Sequence, residues 1–320
     1  MEGTKGERAM ENVDVVVIGG GAAGSAAALA LGRSGRRVIL LSSGEPRNAA
    51  TARTTGIPWL EPLTSSDLQD RAHAQLRDLD GFVRIEDAAA TSVVTDEAGV
   101  IVGFNDGAGM IHARAVVLAT GVNDQVPAIP GVAGHWGSRV FGCPTCHGFE
   151  ARGRRIATIG GGLEGALLTL HLARWSPRGQ APTLITPVVG SIPAEMVAKL
   201  RAAGVLIHES SEPSLRQVER ELHITISDGI TVACDVVFTR AQAFPHNELA
   251  LSLGCMVGEE GHILVDEKNR TSCQFVYAAG DVAQKVNVDP TLQVLQAAAD
   301  GCSAGLACDQ DLFAIDLQTL

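Results

Sequence analysis

A run of glycines behind a short apolar stretch is the feature that most limits how this chain can fold. Residues 14–18 (DVVVI) are β-branched and apolar, which predicts a buried strand. Gly19, Gly21 and Gly24 follow with the spacing G-x-G-x-x-G. The first glycine of such a turn bends the chain, the second lets the backbone approach a pyrophosphate, and the third lets the next helix pack closely. The sequence therefore predicts a dinucleotide-binding βαβ unit, although glycines in an ordinary turn remain the alternative.

The residues behind the glycines complete this unit. Ala22 and Ala23 are small and begin a predicted helix, whose N-terminal N–H groups and dipole favour a phosphate. Residues 37–41 (RVILL) predict the second strand. Because an acid about 20 residues beyond the glycines commonly binds the ribose, we take Glu45, the nearest acid after that strand, as a further candidate.

Two cysteines separated by two residues form the second chemical signal. Cys143 and Cys146 stand in the string CPTCHG, residues 143–148. Such a pair can close a disulfide over one helical turn, and a thiolate is stabilised at a helix N-terminus. Pro144 suits the first turn because it lacks the N–H that would be unpaired there. The spacing favours a redox-active pair.

The alternatives for this pair are a zinc site and two unrelated buried thiols. Zinc prefers four ligands, usually from a second CxxC or a histidine pair. The other cysteines never repeat that spacing, and we interpret them as small apolar fillers: Cys234, Cys255, Cys273, Cys302 and Cys308. No metal is therefore predicted.

Charge and hydrophobicity exclude some classes of partner. The net charge of −11 argues against nucleic acid, which binds basic surfaces. No segment reaches the roughly 20 apolar residues of a membrane helix, and residues 13–18 are too short and too interrupted for a secretory signal. We therefore expect a cytoplasmic protein that binds neither membranes nor nucleic acid. Thiols in that compartment are mostly kept reduced, which favours a catalytic CxxC over a structural disulfide.

Two further strings resemble the flavoproteins with two dinucleotide-binding domains. Residues 275–283 (FVYAAGDVA) are similar to their second FAD fingerprint, and residues 119–121 (ATG) to a motif of the same enzymes. The resemblance implies FAD as the cofactor, with Asp281 at its ribityl or pyrophosphate part. It also implies that Gly280, Thr120 and Gly121 belong to the FAD site.

The position of the cysteine pair resembles that of the low-molecular-weight thioredoxin reductases. In both, the pair comes just before a second glycine motif, here residues 160–165. The resemblance covers the chain from Val13 to about Asp309, and residues 293–304 match the helix that closes over the flavin, which adds Gln293 and Val294 to the candidate FAD site. By this resemblance Cys146 faces the flavin and Cys143 is the outer thiol.

The same resemblance implies an α/β fold with two Rossmann-like domains, the second inserted into a discontinuous FAD domain. The expected boundaries are 1–121 for the first FAD segment, 122–244 for the inserted NAD(P)-binding-like domain, and 245–320 for the second FAD segment. Homodimerisation is also implied.

The chain departs from the reductases at two places. His147 stands where they carry an acid, and an imidazole can take protons from incoming thiols; the alternative is that it only hydrogen-bonds the turn. In the inserted domain, residues 155–159 predict a strand, residues 163–175 a helix and residues 183–186 a second strand. NADPH-dependent reductases also have a basic cluster after that second strand. Here residues 187–189 (PVV) follow that strand, and Glu164 adds a negative charge to the glycine loop. Binding of NADP(H) is therefore doubtful, unless basic residues arrive from elsewhere, such as Arg174, Arg178 or Arg201.

The strings CPTCHG and GEPRNA (residues 44–49) together resemble a narrower group, the dithiol oxidases of natural products such as gliotoxin, holomycin and romidepsin. The resemblance implies a dithiol oxidase that closes an intramolecular disulfide in a small substrate and passes the electrons to dioxygen or NADP. The alternatives are an NADPH- or ferredoxin-linked disulfide reductase and a flavin-bound redox sensor. Residues 51–59 (TARTTGIPW) are a candidate wall of the substrate site, although Trp59 could instead be core.

Overall fold

The apolar runs of the first 125 residues form strands around one crossover helix. The computed structural model describes residues 11–107, 109–227, 229–290 and 292–319. Its first elements are β1 (Glu11–Ile18), α1 (Ala22–Arg33), β2 (Val38–Leu41), α2 (Ser65–Arg77), β3 (Val83–Glu86), β4 (Ala90–Thr95), β5 (Val100–Phe104), β6 (Gly109–Leu118) and β7 (Val122–Gln125).

Strand β1 lies inside a sheet with the order β3-β2-β1-β6-β5-β4. It pairs in parallel with β2 and β6, and the parallel pair β1–β2 needs the crossover that α1 provides. The strand begins at Glu11, earlier than predicted, because residues 11–13 pair with residues 111–113 of β6.

The inserted part of the chain builds its own parallel sheet. Its elements are β8 (Val140–Phe141), α3 (Pro144–His147), β9 (Ile156–Ile159), α4 (Gly162–Leu172), β10 (Thr183–Thr186), α5 (Ala194–Ala202), β11 (Leu206–Glu209), β12 (Ser214–Val218), β13 (Glu221–Thr225), β14 (Thr231–Cys234) and β15 (Val236–Phe238). The parallel sheet has the order β11-β10-β9-β15-β8, and β12-β13-β14 form an antiparallel sheet.

The chain then returns to the first sheet. The returning elements are β16 (Gln242–Pro245), α6 (Glu248–Ser252), β17 (Ile263–Val265), β18 (Val276–Ala278), β19 (Ala283–Lys285) and α7 (Val294–Asp316). Strand β18 pairs in parallel with the C-terminal half of β6, whose N-terminal half pairs with β5. Strands β7 and β16, where the chain leaves and returns, pair with each other.

Contacts divide the chain into two units. The first comprises the chain up to Ala49, Ile57–Asn123 and the chain from Phe244 onward, and the second comprises Ala50–Gly56 and Asp124–Ala243. The crossings lie within two residues of the boundaries expected from the sequence. Residues 50–56 differ, because the expected boundaries place them in the first FAD segment.

The first unit is organised by the alternation of side chains along β1. Val15 and Val17 face a cluster that includes α1 and α7, whereas Val16 and Ile18 face the cluster on the opposite side of the sheet. Helices α1 and α7 can pack closely because residue 301 is a glycine. A Cβ at Gly301 would overlap the backbone of Ala23.

These elements confirm the predicted class, an α/β fold with two Rossmann-like domains and the second inserted into the first. The predicted strand at residues 183–186 is β10, and the predicted helix at residues 163–175 is α4 followed by a 3-10 turn, Ala173–Trp175. Among the described residues, no helix combines the length and the apolar character that crossing a membrane requires.

Candidate functional site

The glycine loop between β1 and α1 is closed on one side and open on the other. Gly19 has a φ of 108°, and a Cβ there would overlap the carbonyl of Ala119. A Cβ on Gly24 would overlap the carbonyl of Gly19. Gly21, in contrast, has no neighbour within 4 Å of where its Cβ would lie. The outer two glycines are therefore required by packing, and the middle one leaves space for a ligand.

The first turn of α1 directs backbone N–H donors toward that space. Gly21 is the N-cap and provides no side-chain hydrogen bond, and the first turn, which begins with Ala22 and Ala23, contains no acid. The loop is held from behind, because the carbonyl of Gly20 accepts hydrogen bonds from Ser25 Oγ and Gln69 Nε2, both at 3.1 Å. The N–H groups and the positive end of the helix dipole thus face a site suited to a phosphate.

The second fingerprint meets this loop. Gly280 has a φ of 75°, and a Cβ there would lie 2.7 Å from the Cβ of Ala23 and 3.5 Å from that of Ala297. Gln293 is the N-cap of α7 and Val294 its first residue, so the start of α7 lies beside the same loop. Residues from both ends of the chain therefore converge.

The carboxylate of Asp281 forms an ion pair with Arg47, which was not among the residues predicted for the FAD site. This carboxylate lies 2.9 Å from Nη1 of Arg47, and the side chain of Asp281 is half-buried whereas Arg47 is an exposed residue. His262 Nδ1 lies 3.0 Å from the Asp281 carbonyl oxygen. Arg47 belongs to the GEPRNA string, so the resemblance of that string to the dithiol oxidases could have pointed to it. The predicted Glu45, two residues earlier, is exposed on the loop after β2.

Thr120 and Gly121 hold the end of β6 to the returning chain. The Thr120 hydroxyl donates to the carbonyl of His246 at 2.6 Å, and the Gly121 carbonyl accepts the N–H of His246 at 3.0 Å. Gly121 has a φ of 69°, which explains the glycine. Both residues therefore shape the backbone at this edge.

The geometry of the first unit fits FAD. The open space at Gly21 and the uncapped N-terminus of α1 suit a pyrophosphate, and the contacts of Gly280 bring the second fingerprint to the same place. Such a cofactor would be held by the loop at residues 19–24, with Asp281 and the start of α7 beside it.

The cysteine pair lies at the start of the short helix α3. Cys143 and Cys146 form a disulfide with their Cα atoms 5.3 Å apart. Cys143 is the N-cap, and its sulfur accepts the N–H of Cys146 at 3.0 Å. Both cysteines are half-buried. An incoming thiolate can reach such a pair, and the N–H would stabilise negative charge on Cys143 once the disulfide opens.

His147 packs directly behind this pair. Its ring stacks on Phe141 with the centroids 4.1 Å apart, and its Nδ1 is buried with no hydrogen-bond partner in the described part of the chain. Burial lowers the pKa of His147, and the charge of Glu150 opposes this shift. The imidazole is therefore neutral at pH 7 and able to accept a proton. Its backbone bonds the turn at this point: the N–H donates to Cys143 O at 3.2 Å, and the carbonyl accepts the N–H of Ala151 at 3.0 Å.

Residues 50–56 lie against the unit that carries the cysteines. The Thr55 hydroxyl donates to the carbonyl of Cys146 at 3.4 Å, and a Cβ on Gly137 would overlap the carbonyl of Ala50. These two contacts explain why the segment groups with the inserted unit. Trp59 is 97% exposed, so the alternative that it belongs to the core is wrong.

The second glycine loop repeats the packing of the first but not its openness. A Cβ on Gly165 would lie against the carbonyl of Gly160, as at the first loop. The N–H of Gly162, however, donates to Ser191 Oγ at 3.3 Å. Glu164 lies in the first turn of α4, where it pairs with Arg240 at 2.9 Å. A carboxylate paired with an arginine thus lies in the first turn of the helix that follows this loop.

The loop after β10, residues 187–193, contains no basic residue. The N–H of Val189 donates to Oε2 of Glu209 at 2.7 Å, which adds another acid. Arg201 lines a cavity of about 610 Å³ beside this loop, together with Val189 and Ser191. Basic residues therefore do come from elsewhere, as the alternative required: Arg201 beside this loop, and Arg240 at Glu164.

Within the described ranges, no group of three or more His, Cys, Asp or Glu side chains is placed to hold a metal ion.

Known proteins resemble the chain over nearly its whole length. A family model described as pyridine nucleotide-disulphide oxidoreductase matches residues 13–301. The chain belongs to this family. It is 30% identical to the thioredoxin reductase tcpT of Claviceps purpurea over 276 residues, which cover 84% of this chain and 86% of the relative. It is 27% identical to the thioredoxin reductase of Mycolicibacterium smegmatis, over 93% and 96% of the two chains.

Two solved structures have the same fold at similar identity. The crystal structure of HlmI superposes with a TM-score of 0.85 at 29% identity, over 96% of this chain and 95% of the other. The crystal structure of an oxidoreductase from Agrobacterium tumefaciens superposes with a TM-score of 0.84 at 28% identity, over 94% of this chain and 99% of the other. The chain is therefore a flavin-dependent disulfide oxidoreductase of the thioredoxin-reductase type, and FAD is its cofactor. The family uses NADPH as reductant.

Proposed function

We propose that this enzyme is a dithiol oxidase, which closes an intramolecular disulfide in a small natural-product substrate through Cys143 and Cys146. The observation that carries the proposal is the acidic nucleotide loop of the inserted unit. Glu164 lies at its helix start and is paired with Arg240, Glu209 bonds the loop after β10, and residues 187–193 lack basic side chains, so that Arg201 is the basic residue beside that loop. Such a loop disfavours NADPH, so electrons enter from the thiol substrate instead.

The thiol chemistry follows from the groups around the disulfide. A substrate thiolate attacks the sulfur of Cys143, the Cys143–Cys146 bond breaks, and Cys146 leaves as a thiolate. The second substrate thiol then loses its proton to His147 and attacks the substrate sulfur of the mixed disulfide. Cys143 leaves as a thiolate that the N–H of Cys146 stabilises. The substrate loses two electrons and two protons, and the cysteine pair gains the electrons.

An FAD held by these residues would supply the acceptor for this electron pair, with dioxygen as the proposed final oxidant. The proposed FAD site consists of the glycine loop, the second fingerprint and the start of α7: Gly19, Gly21, Ala22, Ala23, Gly24, Thr120, Gly121, Gly280, Asp281, Gln293 and Val294, with Glu45 as an exposed and weaker member. Arg47, which pairs with Asp281, is added from the structure.

The resemblance of CPTCHG and GEPRNA to natural-product dithiol oxidases supports a small substrate. The contact of Thr55 with the carbonyl of Cys146 supports residues 50–56 as one wall of the substrate site. A homodimer and a cytoplasmic location stay predictions, which light scattering of the purified enzyme and cell fractionation would test.

The deciding experiment is anaerobic stopped-flow absorbance of the FAD-loaded enzyme, mixed in turn with dithiothreitol, reduced thioredoxin and NADPH. We expect fast bleaching by the small dithiol, slow bleaching by the other two, and recolouring with release of hydrogen peroxide on admission of air. Cys146→Ser should abolish bleaching by the dithiol, whereas the matched control Cys302→Ser, at an exposed position on α7, should retain it.

Two outcomes would contradict the proposal. Fast bleaching by NADPH with turnover of a protein disulfide would identify a reductase, the second candidate, which Arg201 in the cavity beside residues 189–191 favours. Full thiol-oxidising turnover in both Cys143→Ser and Cys146→Ser would exclude the cysteine mechanism itself.

A further inference from the structure

Two segments of the first unit that are distant in sequence lie side by side. They are residues 253–256, which follow α6, and residues 271–273, which precede β18. The N–H of Met256 donates to Ser272 Oγ at 2.9 Å. This bond places each segment directly against the other, and each of them carries one cysteine.

Each thiol bonds to the segment that carries the other. Cys273 Sγ donates to the carbonyl of Leu253 at 3.2 Å, and Cys255 Sγ lies 3.5 Å from Thr271 Oγ1. Thr271 Oγ1 also accepts the N–H of Cys273 at 3.1 Å. The two thiols are thus held next to each other by contacts that cross in both directions. Small apolar fillers, as the sequence suggested, need none of these contacts.

The two thiols differ in access. Cys255 is 5% exposed, whereas Cys273 is half-buried and lines a cavity of about 490 Å³ together with Ser272 and Gln274. Burial raises the pKa of Cys255 to about 11; Thr271 opposes the shift, while hydrogen bonding to Cys273 and the charge of that neighbouring thiol add to it. A small reagent therefore meets Cys273 first, and Cys255 remains a protonated thiol until a partner is in place.

We propose that Cys255 and Cys273 form a second reversible disulfide when the enzyme meets a small-molecule disulfide. The Cys273 thiolate attacks one sulfur of the reagent, the reagent's S–S bond breaks, and the first thiolate leaves. Cys255 then gives up its proton and attacks the Cys273 sulfur of the mixed disulfide, which expels the second thiolate. The two cysteines lose two electrons and two protons, and the small disulfide becomes two thiols.

This dithiol is separate from the Cys143–Cys146 pair, which belongs to the other unit. It lies on the segment that leads through β18 to Gly280 and Asp281. Oxidation would therefore join the chain ahead of the proposed flavin residues to the end of α6. The site is one for redox modification, in addition to the pair that turns over substrate.

Peptide mapping of the full-length, FAD-loaded enzyme tests the proposal. The enzyme is incubated with oxidised glutathione, free thiols are blocked with N-ethylmaleimide, and the digest is analysed without reduction. We expect the peptide carrying Cys255 to be joined to the one carrying Cys273, and dithiothreitol to release them. Recovery of Cys255 and Cys273 as blocked free thiols, or of Cys273 only as a stable glutathione adduct, would overturn the proposal.

Variants separate the two roles. Cys255→Ser should trap glutathione on Cys273, Cys273→Ser should leave Cys255 unmodified, and Cys302→Ser should leave the cross-link intact. If Cys255→Ser yields no flavoprotein, the time course of the unmodified enzyme decides. The adduct on Cys273 must then rise first and fall as the cross-link forms, and a cross-link that grows while a stable adduct persists on Cys273 contradicts the proposed order.

Discussion

Helices α1 and α4 both begin at a glycine loop whose last glycine packs against the carbonyl of the first. At α1 a Cβ on Gly24 would meet Gly19, and at α4 a Cβ on Gly165 would meet Gly160. Beyond this shared packing the loops differ. The first turn of α1 has no acid, whereas the first turn of α4 contains Glu164, paired with Arg240.

The difference between the two loops shows that the glycine spacing alone does not determine what a loop binds. Glycines at this spacing are required for a strand and a helix to pack closely, whatever the loop binds. The ligand is selected by the charges that surround the loop, because the N–H donors of a helix start attract an anion only where no acid competes. The first unit therefore suits a dinucleotide, and the inserted unit contributes its cysteine pair.

The largest effect is expected at His147, to which the proposed mechanism assigns the proton of the second substrate thiol. Because a general base contributes about 10²–10⁴-fold to a rate, His147→Gln should slow anaerobic bleaching by dithiothreitol by about 10²-fold at pH 7. Burial lowers the pKa of His147, so in the unaltered enzyme the rate should fall as the pH drops through that pKa, below the ordinary value of 6.5. The variant should lose this component and keep only the pH dependence of the substrate thiolate.

His171→Gln is the matched control, since His171 lies on α4 of the same unit and burial also lowers its pKa. It should keep the unaltered pH profile. An unchanged profile in His147→Gln would show that the histidine does not take the proton.

The next effect distinguishes the two loops directly. Gly24→Ala forces a Cβ against Gly19, and because overpacking costs about 1–3 kcal/mol, FAD affinity should fall by about 10- to 100-fold. Gly165→Ala makes the same collision in the other loop and should keep the flavin. The ratio of flavin absorbance to protein after dialysis measures both. Equal loss of flavin from the two variants would contradict the assignment of FAD to the first loop.

A gain-of-function variant reverses the difference. Val188 is exposed on the loop after β10, so Val188→Arg combined with Glu164→Gln adds a cation and removes an acid. A charge-assisted hydrogen bond contributes about 1.5–3 kcal/mol, so bleaching by NADPH should accelerate by about tenfold. Bleaching by NADH, which lacks the 2′-phosphate, should change little. Equal acceleration by both nucleotides would mean that the loop does not read that phosphate.

The parts of the fold that follow from local pattern were predictable. Residues 14–24 predicted a strand, a turn and a helix start because β-branched runs and glycine spacing act over a few residues, and β10 was predicted residue for residue. The pair Arg47–Asp281 was not, because its members are 234 positions apart and meet only through the packed sheet. The association of residues 50–56 with the cysteine unit depends on a similar long-range contact, between Thr55 and Cys146.

The same distinction applies to Glu45 and to the cysteines outside the CxxC pair. Glu45 has the spacing of a ribose-binding acid but is exposed on its loop. Cys255 and Cys273 lack any motif, yet the folded chain brings their segments together through Met256 and Ser272. Spacing in sequence predicts chemistry only where the residues share one element, as Cys143 and Cys146 share α3.

The smallest effect isolates the charge of Glu164 alone. Glu164→Gln removes a carboxylate beside the loop, and because like charges about 4 Å apart cost about 1 kcal/mol in water and less in salt, NADPH bleaching should accelerate only about two- to threefold. Glu195→Gln is the control, since Glu195 is an equally exposed acid of the same unit that pairs with Lys199. It should leave the rate unchanged. The gain should shrink as ionic strength rises, and a gain that does not depend on salt would point to altered loop geometry rather than charge.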